Sequence, residues 1–280
     1  MLSKHSNLVA VIVAALPACA FAQADEQIVV TAARTPVPLA DVAASLSVID
    51  ETIIEAVDVP QVVDLLRLAP GVSISRSGPT GAQTQVRLRG AEANHTLVFV
   101  DGIEANDPAS GNEFRWEFLS AEGVERVELL RGPQSALWGS EALAGVVAVE
   151  TFAAGEGTSA FGSAQYGSFD TLEVSAGLAD GGDDHGVSLL GSWYDTDGID
   201  GFARGPVERD GFDSLNLTAK AHLDPGATGR LSLVARYSEN DSKFDGNDPV
   251  TFQRADTANA SEHRAFAVRG AAAFTILDTL

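Results

Sequence analysis

The sequence predicts two parts in series: a compact α+β domain, then about six antiparallel strands of the kind that line a transmembrane β-barrel. Three observations carry this expectation. Residues 25–153 mix short helical and strand-like stretches punctuated by glycine and proline. From Thr158 onward, segments of about ten residues alternate apolar and polar side chains at period two. An apolar run near the N-terminus ends in small-residue cleavage patterns that mark the chain for export.

The export segment comes first. Lys4 and His5 precede an apolar stretch over 8–18, followed by Ala20-Phe21-Ala22 and Ala22-Gln23-Ala24. A bilayer-spanning helix needs about 20 apolar residues, so this stretch reads as a secretory signal over 1–24, cut after Ala22 or Ala24. No later segment is long and apolar enough for a membrane helix. Cys19 is the only cysteine, which excludes an intramolecular disulfide. The chain has 280 residues, enough for two domains, and 45% of them are hydrophobic, ample for a core. Lys+Arg number 18 against 39 Asp+Glu, a net charge of −21. That balance argues against nucleic acid, which needs clustered cations. It suits cationic ligands or divalent metal, and equally an acidic protein with solvated loops.

Within the α+β part, residues 45–49 read as a strand, and Asp50 is placed to cap a helix over 51–56. Val62, Val63, Leu65, Leu66 and Leu68 line a second helix, which Ala69-Pro70-Gly71 ends. Short strands are expected at 72–75 and 85–88, either side of SRSGPTGAQ, then at 96–100, 124–130 and 145–150. After Gly155-Glu156-Gly157 the texture changes. Leu215, Leu217, Ala219, Ala221 and Leu223 alternate with Asn216, Thr218, Lys220 and His222, and comparable runs recur. They give strands at 158–166, 170–179, 186–194, 213–223, 229–238 and 263–276. A soluble antiparallel sheet with one wet face would alternate in the same way. Strand lengths near ten residues, with short turns alternating with long acidic loops, favour a barrel.

Two stretches carry a family resemblance. LRGAEANHTLVFVDGIEANDP begins at Leu88 and VERVELLRGPQSALWGSEALAGVVAVET ends at Thr151; in each, an apolar strand runs straight into a glycine turn, Asp101-Gly102 or Arg131-Gly132-Pro133. They resemble the plug domain of TonB-dependent outer-membrane transporters, most nearly those for cobalamin. The resemblance implies a plug over 39–153 and the start of a barrel wall over 158–280, about 22 strands when complete. A barrel of that size needs on the order of 400 residues after the plug, so the chain is expected to be a fragment or a truncated gene. It also implies residence in the outer membrane of a Gram-negative bacterium, in contact with its lipid.

The same resemblance assigns sites. Gln27, Ile28, Val29, Val30, Thr31 and Ala32 look like the TonB box, with 25–38 as box and linker. An extended β-branched peptide of this kind binds by adding a strand to a partner's open edge; the alternative is a first strand of the plug itself. Arg89 and Arg131 match plug arginines that lock onto wall glutamates, the alternative being solvated strand-end charges. The loops at 75–83 and 103–112 match plug apices that touch substrate, with Arg76, Ser77, Asn106 and Asp107 the candidate contacts, or else are flexible loops. Trp138 is expected in the core. Acids gather in the presumed outer loops at Asp195, Asp197, Asp200, Glu208, Asp210, Asp213, Asp241, Asp245 and Asp248. Calcium takes several oxygen ligands at flexible spacing, and Asp200, Asp210 and Asp245 fall nearest the places where cobalamin transporters bind it. Solvated surface acids are the alternative, and no EF-hand spacing occurs.

No nucleophile elbow, zinc-protease helix, phosphate loop or dinucleotide fingerprint occurs. The 5 histidines are scattered singly. The expectation is therefore not an enzyme but a TonB-coupled importer of a bulky, scarce nutrient that requires no cofactor, with calcium possible in its loops. A cobalamin-like corrinoid leads, with a ferric siderophore or other metal chelate as the alternative. A truncated plug acting as a periplasmic binding or signalling module is the rival from another class.

Overall fold

The structure, a computed structural model, describes residues 28–29, 37–202, 209–226 and 229–274. β1 (Ile28–Val29) and β2 (Val37–Pro38) form a small antiparallel ladder, pairing Ile28 with Pro38 and Val29 with Val37. β3 (Ser45–Asp50) runs directly into α1 (Glu51–Val57), whose cap is the expected one: the Asp50 carboxylate accepts from the Ile53 N–H at 3.1 Å. The second helix is shorter than its apolar pattern suggested. α2 covers Val62–Leu65 and tightens to a 3₁₀ turn over Leu66–Leu68, because Pro70 holds Ala69 extended. β4 (Val72–Arg76) and β5 (Thr84–Leu88) make a separate hairpin.

The main sheet follows. β6 (Thr96–Val100) turns at Asp101-Gly102 into β7 (Ile103–Glu104); β8 (Val124–Arg131) is followed by α3 (Ser135–Trp138) and β9 (Gly145–Thr151). The strand order is β3-β8-β9-β6-β7, with only β6 and β9 parallel. The two central strands β6 and β9 are mostly apolar because both faces are covered, whereas β8 carries charges among its apolar residues. Val127, Leu129, Val147 and Val149 pack on one side against Val62, Val63, Leu65 and Leu66. Leu97, Leu130 and Val146 pack on the other, with Phe99 and Trp138 over them at 4.8 Å between ring centres.

The remaining strands are β10 (Gly157–Tyr166), β11 (Leu172–Gly181), β12 (His185–Ile199), β13 (Asp210–Leu223), β14 (Gly229–Asn247) and β15 (Arg254–Phe274). They form one 6-stranded antiparallel sheet in sequence order. Which side faces what decides between a soluble sheet and a barrel wall. Ser175 and Ser188 are each 2% exposed, whereas Leu178 and Leu189 on the opposite face are each 54% exposed. Polar residues lie against the plug and aliphatic ones face outward, the reverse of a water-soluble sheet and the pattern of a wall in lipid. Among the described residues no helix is long and apolar enough to cross a membrane.

The strand ends differ from expectation at one pole. β14 is 19 residues long and β15 is 21, against about ten needed to cross the hydrocarbon. The stretches around Asp195 and Asp241, read as loops, are paired strand, Asp195 opposite Asp213 and Asp213 opposite Asp241. Beyond the apolar band both faces carry mostly polar side chains, so hydrophobic alternation stops while the backbone ladder continues. The ladder carries irregularities between Thr196 and Ile199 and between Phe244 and Gly246.

Candidate functional site: plug apex and plug–wall seam

The loops at 75–83 and 103–112 come together at the pole where the long hairpins overhang. Ser77, Gln83, Ser110, Glu113 and Arg115 line a cavity of about 510 Å³, closed from the wall by Ser242, Phe244, Asn247 and Arg254. Arg254 Nη2 donates to the Ser77 carbonyl at 3.0 Å, joining plug to wall across it. Of the four candidate contacts, Ser77 faces this cavity. Arg76 points instead to Gln61 (2.8 Å), Asp64 (3.3 Å) and Thr84 (3.3 Å). Asn106 braces its own loop: its oxygen accepts from the Val98 N–H at 2.8 Å, and its amide donates to the Thr96 and Asn112 carbonyls. Asp107 accepts from Ser110 Oγ at 2.6 Å and from the Ala109 N–H at 2.9 Å; the serine bond foremost holds its carboxyl below the usual range.

The residues the sequence reading missed lie in FRWEF, 114–118. Glu117 has a buried side chain that receives Arg115 Nε at 2.6 Å and the Thr84 N–H at 3.1 Å. The Arg115 guanidinium lies 4.9 Å from the centre of the Phe118 ring. Phe118 in turn stacks on two wall residues, Phe212 at 6.2 Å and His263 at 5.0 Å. The alternation of rings and charges in FRWEF was the available signal. Below this aromatic seam, Leu190 of the wall presses onto Gly123, leaving no room for a Cβ there.

Arg89 and Arg131 sit together at the strand ends. Arg131 donates to Ser47 Oγ at 2.8 Å and to the Pro70 and Ser45 carbonyls. Burial, then the neighbouring Arg89, pushes the Arg131 pKa down. Among the described residues neither pairs with a carboxylate, so two like charges face each other without an anion. Val29 is fully buried, and the β1–β2 ladder pairs Ile28 and Val29, the described residues of the candidate box, with Pro38 and Val37. Gln27, Val30, Thr31 and Ala32 lie outside the described residues, as does the signal over 1–24.

Of the acids considered for calcium, Asp210 and Asp245 converge on Gly201. Asp210 Oδ2 accepts the Gly201 N–H at 2.8 Å, and Asp245 Oδ1 accepts the Thr257 N–H at 3.0 Å. Asp210 is 2% exposed and Asp245 7%, and Asp245 Oδ2 has no hydrogen-bond partner among the described residues. Asp200, just before, accepts from the Phe202 N–H at 2.9 Å. Among the described residues no three acidic, histidine or cysteine side chains form a ready metal cage; Glu208 falls outside them.

Residues 38–146 match the TonB-dependent receptor plug domain family. The chain is 33% identical over 239 residues to the vitamin B12 transporter BtuB of Photobacterium profundum, covering 82% of this chain and 38% of the relative. It is 34% identical over 198 residues to BtuB of Vibrio vulnificus, covering 70% and 32%. It thus spans about a third of the length of the curated relatives it matches. Among solved structures, the siderophore receptor PirA of Acinetobacter baumannii superposes with a TM-score of 0.62 at 23% identity, over 80% of this chain and 37% of PirA. FpvA of P. aeruginosa does so at 0.70 and 16%, over 90% and 34%. Identities this low establish the fold alone. A plug whose polar apex faces a cavity, seated against a sheet that is polar within and apolar without, agrees with these matches: the chain belongs to the TonB-dependent receptor family and is BtuB-like in sequence.

Proposed function

We propose that this chain is the plug and first wall strands of an active outer-membrane importer in a Gram-negative bacterium, with a cobalamin-like corrinoid as cargo. The observation that carries the cargo is the identity of 33% and 34% to two vitamin B12 transporters, which extends beyond the plug into the wall. The apex cavity supports it. Its polar lining is hydroxyl and amide side chains together with three carboxylates, Glu113, Glu117 and Asp245, against two cations, Arg115 and Arg254, which suits a large, amide-fringed ligand more than a strongly anionic chelate. The outward aliphatic band would meet lipid.

In this reading ligand settles above the plug, between Ser77, Gln83 and the wall. The segment at 27–32 is released from its fold-back ladder, and TonB captures it by strand addition and pulls. The plug then rearranges to let the ligand pass; no bond in the ligand is made or broken. Arg89 and Arg131, two neighbouring cations, would lock onto wall carboxylates, whose attraction offsets their mutual repulsion. Titrating the receptor in detergent with cyanocobalamin and with a ferric siderophore tests the cargo. Corrinoid is expected to bind at least about tenfold more tightly, a difference of roughly 1.4 kcal/mol. Siderophore binding without corrinoid binding transfers the function to iron uptake, and the corrinoid reading falls.

Calcium would be held by Asp210 and Asp245 with Asp200 beside them. The fit rests on the buried, unpartnered Asp245 Oδ2 next to a second buried carboxylate, an arrangement a divalent cation would relieve. Asp245→Asn is expected to weaken calcium-dependent protease protection of the strands flanking 200–210 by about tenfold in calcium concentration. Protection that ignores both calcium and the substitution removes the metal from this site.

A further inference from the structure

The Asp101-Gly102 turn reads in the sequence as plain hairpin chemistry, and its strained backbone fits that reading: Asp101 has φ +52° and Gly102 φ +74°. The side chain does something else. Asp101 is 2% exposed at its side chain, and Lys220 Nζ of β13 lies 2.5 Å from its Oδ1. Arg236 of β14 places Nε 3.9 Å from Oδ2, and that buried Nε has no hydrogen-bond partner among the described residues, so it acts on Asp101 through charge alone. Arg269 of β15 comes up beside the same turn, its guanidinium about 3.5 Å from where a Cβ on Gly102 would stand. Lys220 also donates to the Thr151 carbonyl at 2.5 Å, and Thr151 in turn gives Asp101 its N–H at 2.9 Å and its hydroxyl at 3.0–3.2 Å.

Register makes this a built seat. Lys220 is opposite Val234, and Val234 opposite Arg269; Arg236 stands opposite Thr218, two residues along. Residues opposite one another share a face, so three adjacent strands aim cations at one inward patch. The chain has only 18 Lys+Arg among 280 residues, which makes the grouping distinctive. Glu125 and Glu150 of the plug also lie within electrostatic reach of Lys220.

We propose that Asp101 and the Lys220–Arg236–Arg269 seat form a plug-to-wall latch, opposite in polarity to one built from plug arginines and wall acids, that keeps the barrel shut at rest. A buried carboxylate surrounded by wall cations is stable only while the plug is docked. Withdrawing the plug leaves Arg236 and Lys220 in a polar lumen where water takes Asp101's place. The latch therefore resists small displacements yet yields to a directed pull, because the cations are re-solvated once it opens. Its place on the β6–β7 turn, facing β13 to β15 near their short-turn ends, anchors the latch in the main sheet of the plug.

The latch rests on the transporter reading, but the test needs neither cargo nor TonB. The receptor is placed in planar lipid bilayers and the frequency of plug-release openings is counted at a fixed sub-denaturing urea concentration. Asp101→Asn removes the charge with its shape kept. Breaking one side of a buried pair shifts an equilibrium by roughly 100-fold or more, so openings are expected to rise by about that factor. Arg236→Gln acts on the wall side, leaves the plug sequence intact, and is expected to raise openings more modestly. Wild-type opening frequency in both single variants, with the barrel still resisting SDS at room temperature, overturns the latch. Should Asp101→Asn fail to assemble, Arg236→Gln alone decides, wild-type openings overturning the proposal and raised openings supporting it. Failure of corrinoid binding leaves this result untouched.

Discussion

Replacing Val29 with proline is expected to abolish energised uptake while leaving ligand binding at the wild-type level. The residue is fully buried, and its backbone pairs with Val37 in the short β1–β2 ladder that holds the described part of the candidate box. Proline removes the N–H and fixes φ, so it cannot take a ladder position in the middle of a strand. Two ladders are affected. The resting one with β2 is lost, which frees the box. The strand that TonB would gain is also spoiled, because strand addition draws its affinity from backbone hydrogen bonds. Freed but uncapturable, the box should give uptake at the background of cells without TonB. The apex cavity stands apart from it, so corrinoid titration should be unchanged. Val29→Ile, which keeps both ladder and burial, is the control and should transport normally. Undiminished uptake by the proline variant would remove residues 27–32 from the coupling role.

Local rules reached some elements of this chain and missed others. Asp50 as a cap, Pro70 as a helix stop and the apolar runs at 96–100 and 145–150 were all legible, because each depends on neighbours within four residues. The six wall strands were legible only where lipid imposes alternation. Their overhang beyond Tyr194 and Ser238 was missed, since a strand wet on both faces has no hydrophobic period to read. The direction of the alternation was also open: buried Ser175 against exposed Leu178 is a fact about which face meets the plug, and that depends on docking. Site residues divide the same way. Asn106 and Asp107 are polar groups in an apical loop, but their polarity satisfies the loop's own backbone. Asp101 was passed over as a turn residue, yet it meets cations from strands more than a hundred positions away. Only topology brings Lys220 to it, and no local pattern encodes that.

The plug's central strand offers the sharpest structural test. Gly145→Ala is expected to destabilise the plug by about 2–3 kcal/mol and to loosen the arginine pair. Gly145 begins β9, opposite Arg131 of β8 on one side and Thr96 of β6 on the other. A Cβ there would stand 2.3 Å from the Leu130 carbonyl oxygen and 2.7 Å from Leu88 Cδ1. The first of these is backbone and cannot turn aside as a side chain would. The methyl group can be admitted only by parting β8 from β9 at the end where Arg131 is held against Ser47 and Pro70. The cost is therefore paid in sheet pairing and in the position of a candidate lock residue together. Urea unfolding followed by tryptophan fluorescence reads it. Trp116 is buried in the plug at 2% exposure and Trp138 packs on the plug sheet, while Trp193 lies on the outer face of the wall at 42%, and replacing either set with phenylalanine separates the two signals. The expected result is an early plug transition with the wall signal unmoved. Gly155→Ala, where nothing lies within 4 Å of the added carbon, should change stability by no more than about 0.5 kcal/mol. Equal midpoints for the two variants would mean that β8 and β9 can part at Gly145 without cost, and that the plug core and the candidate lock residue are not coupled there.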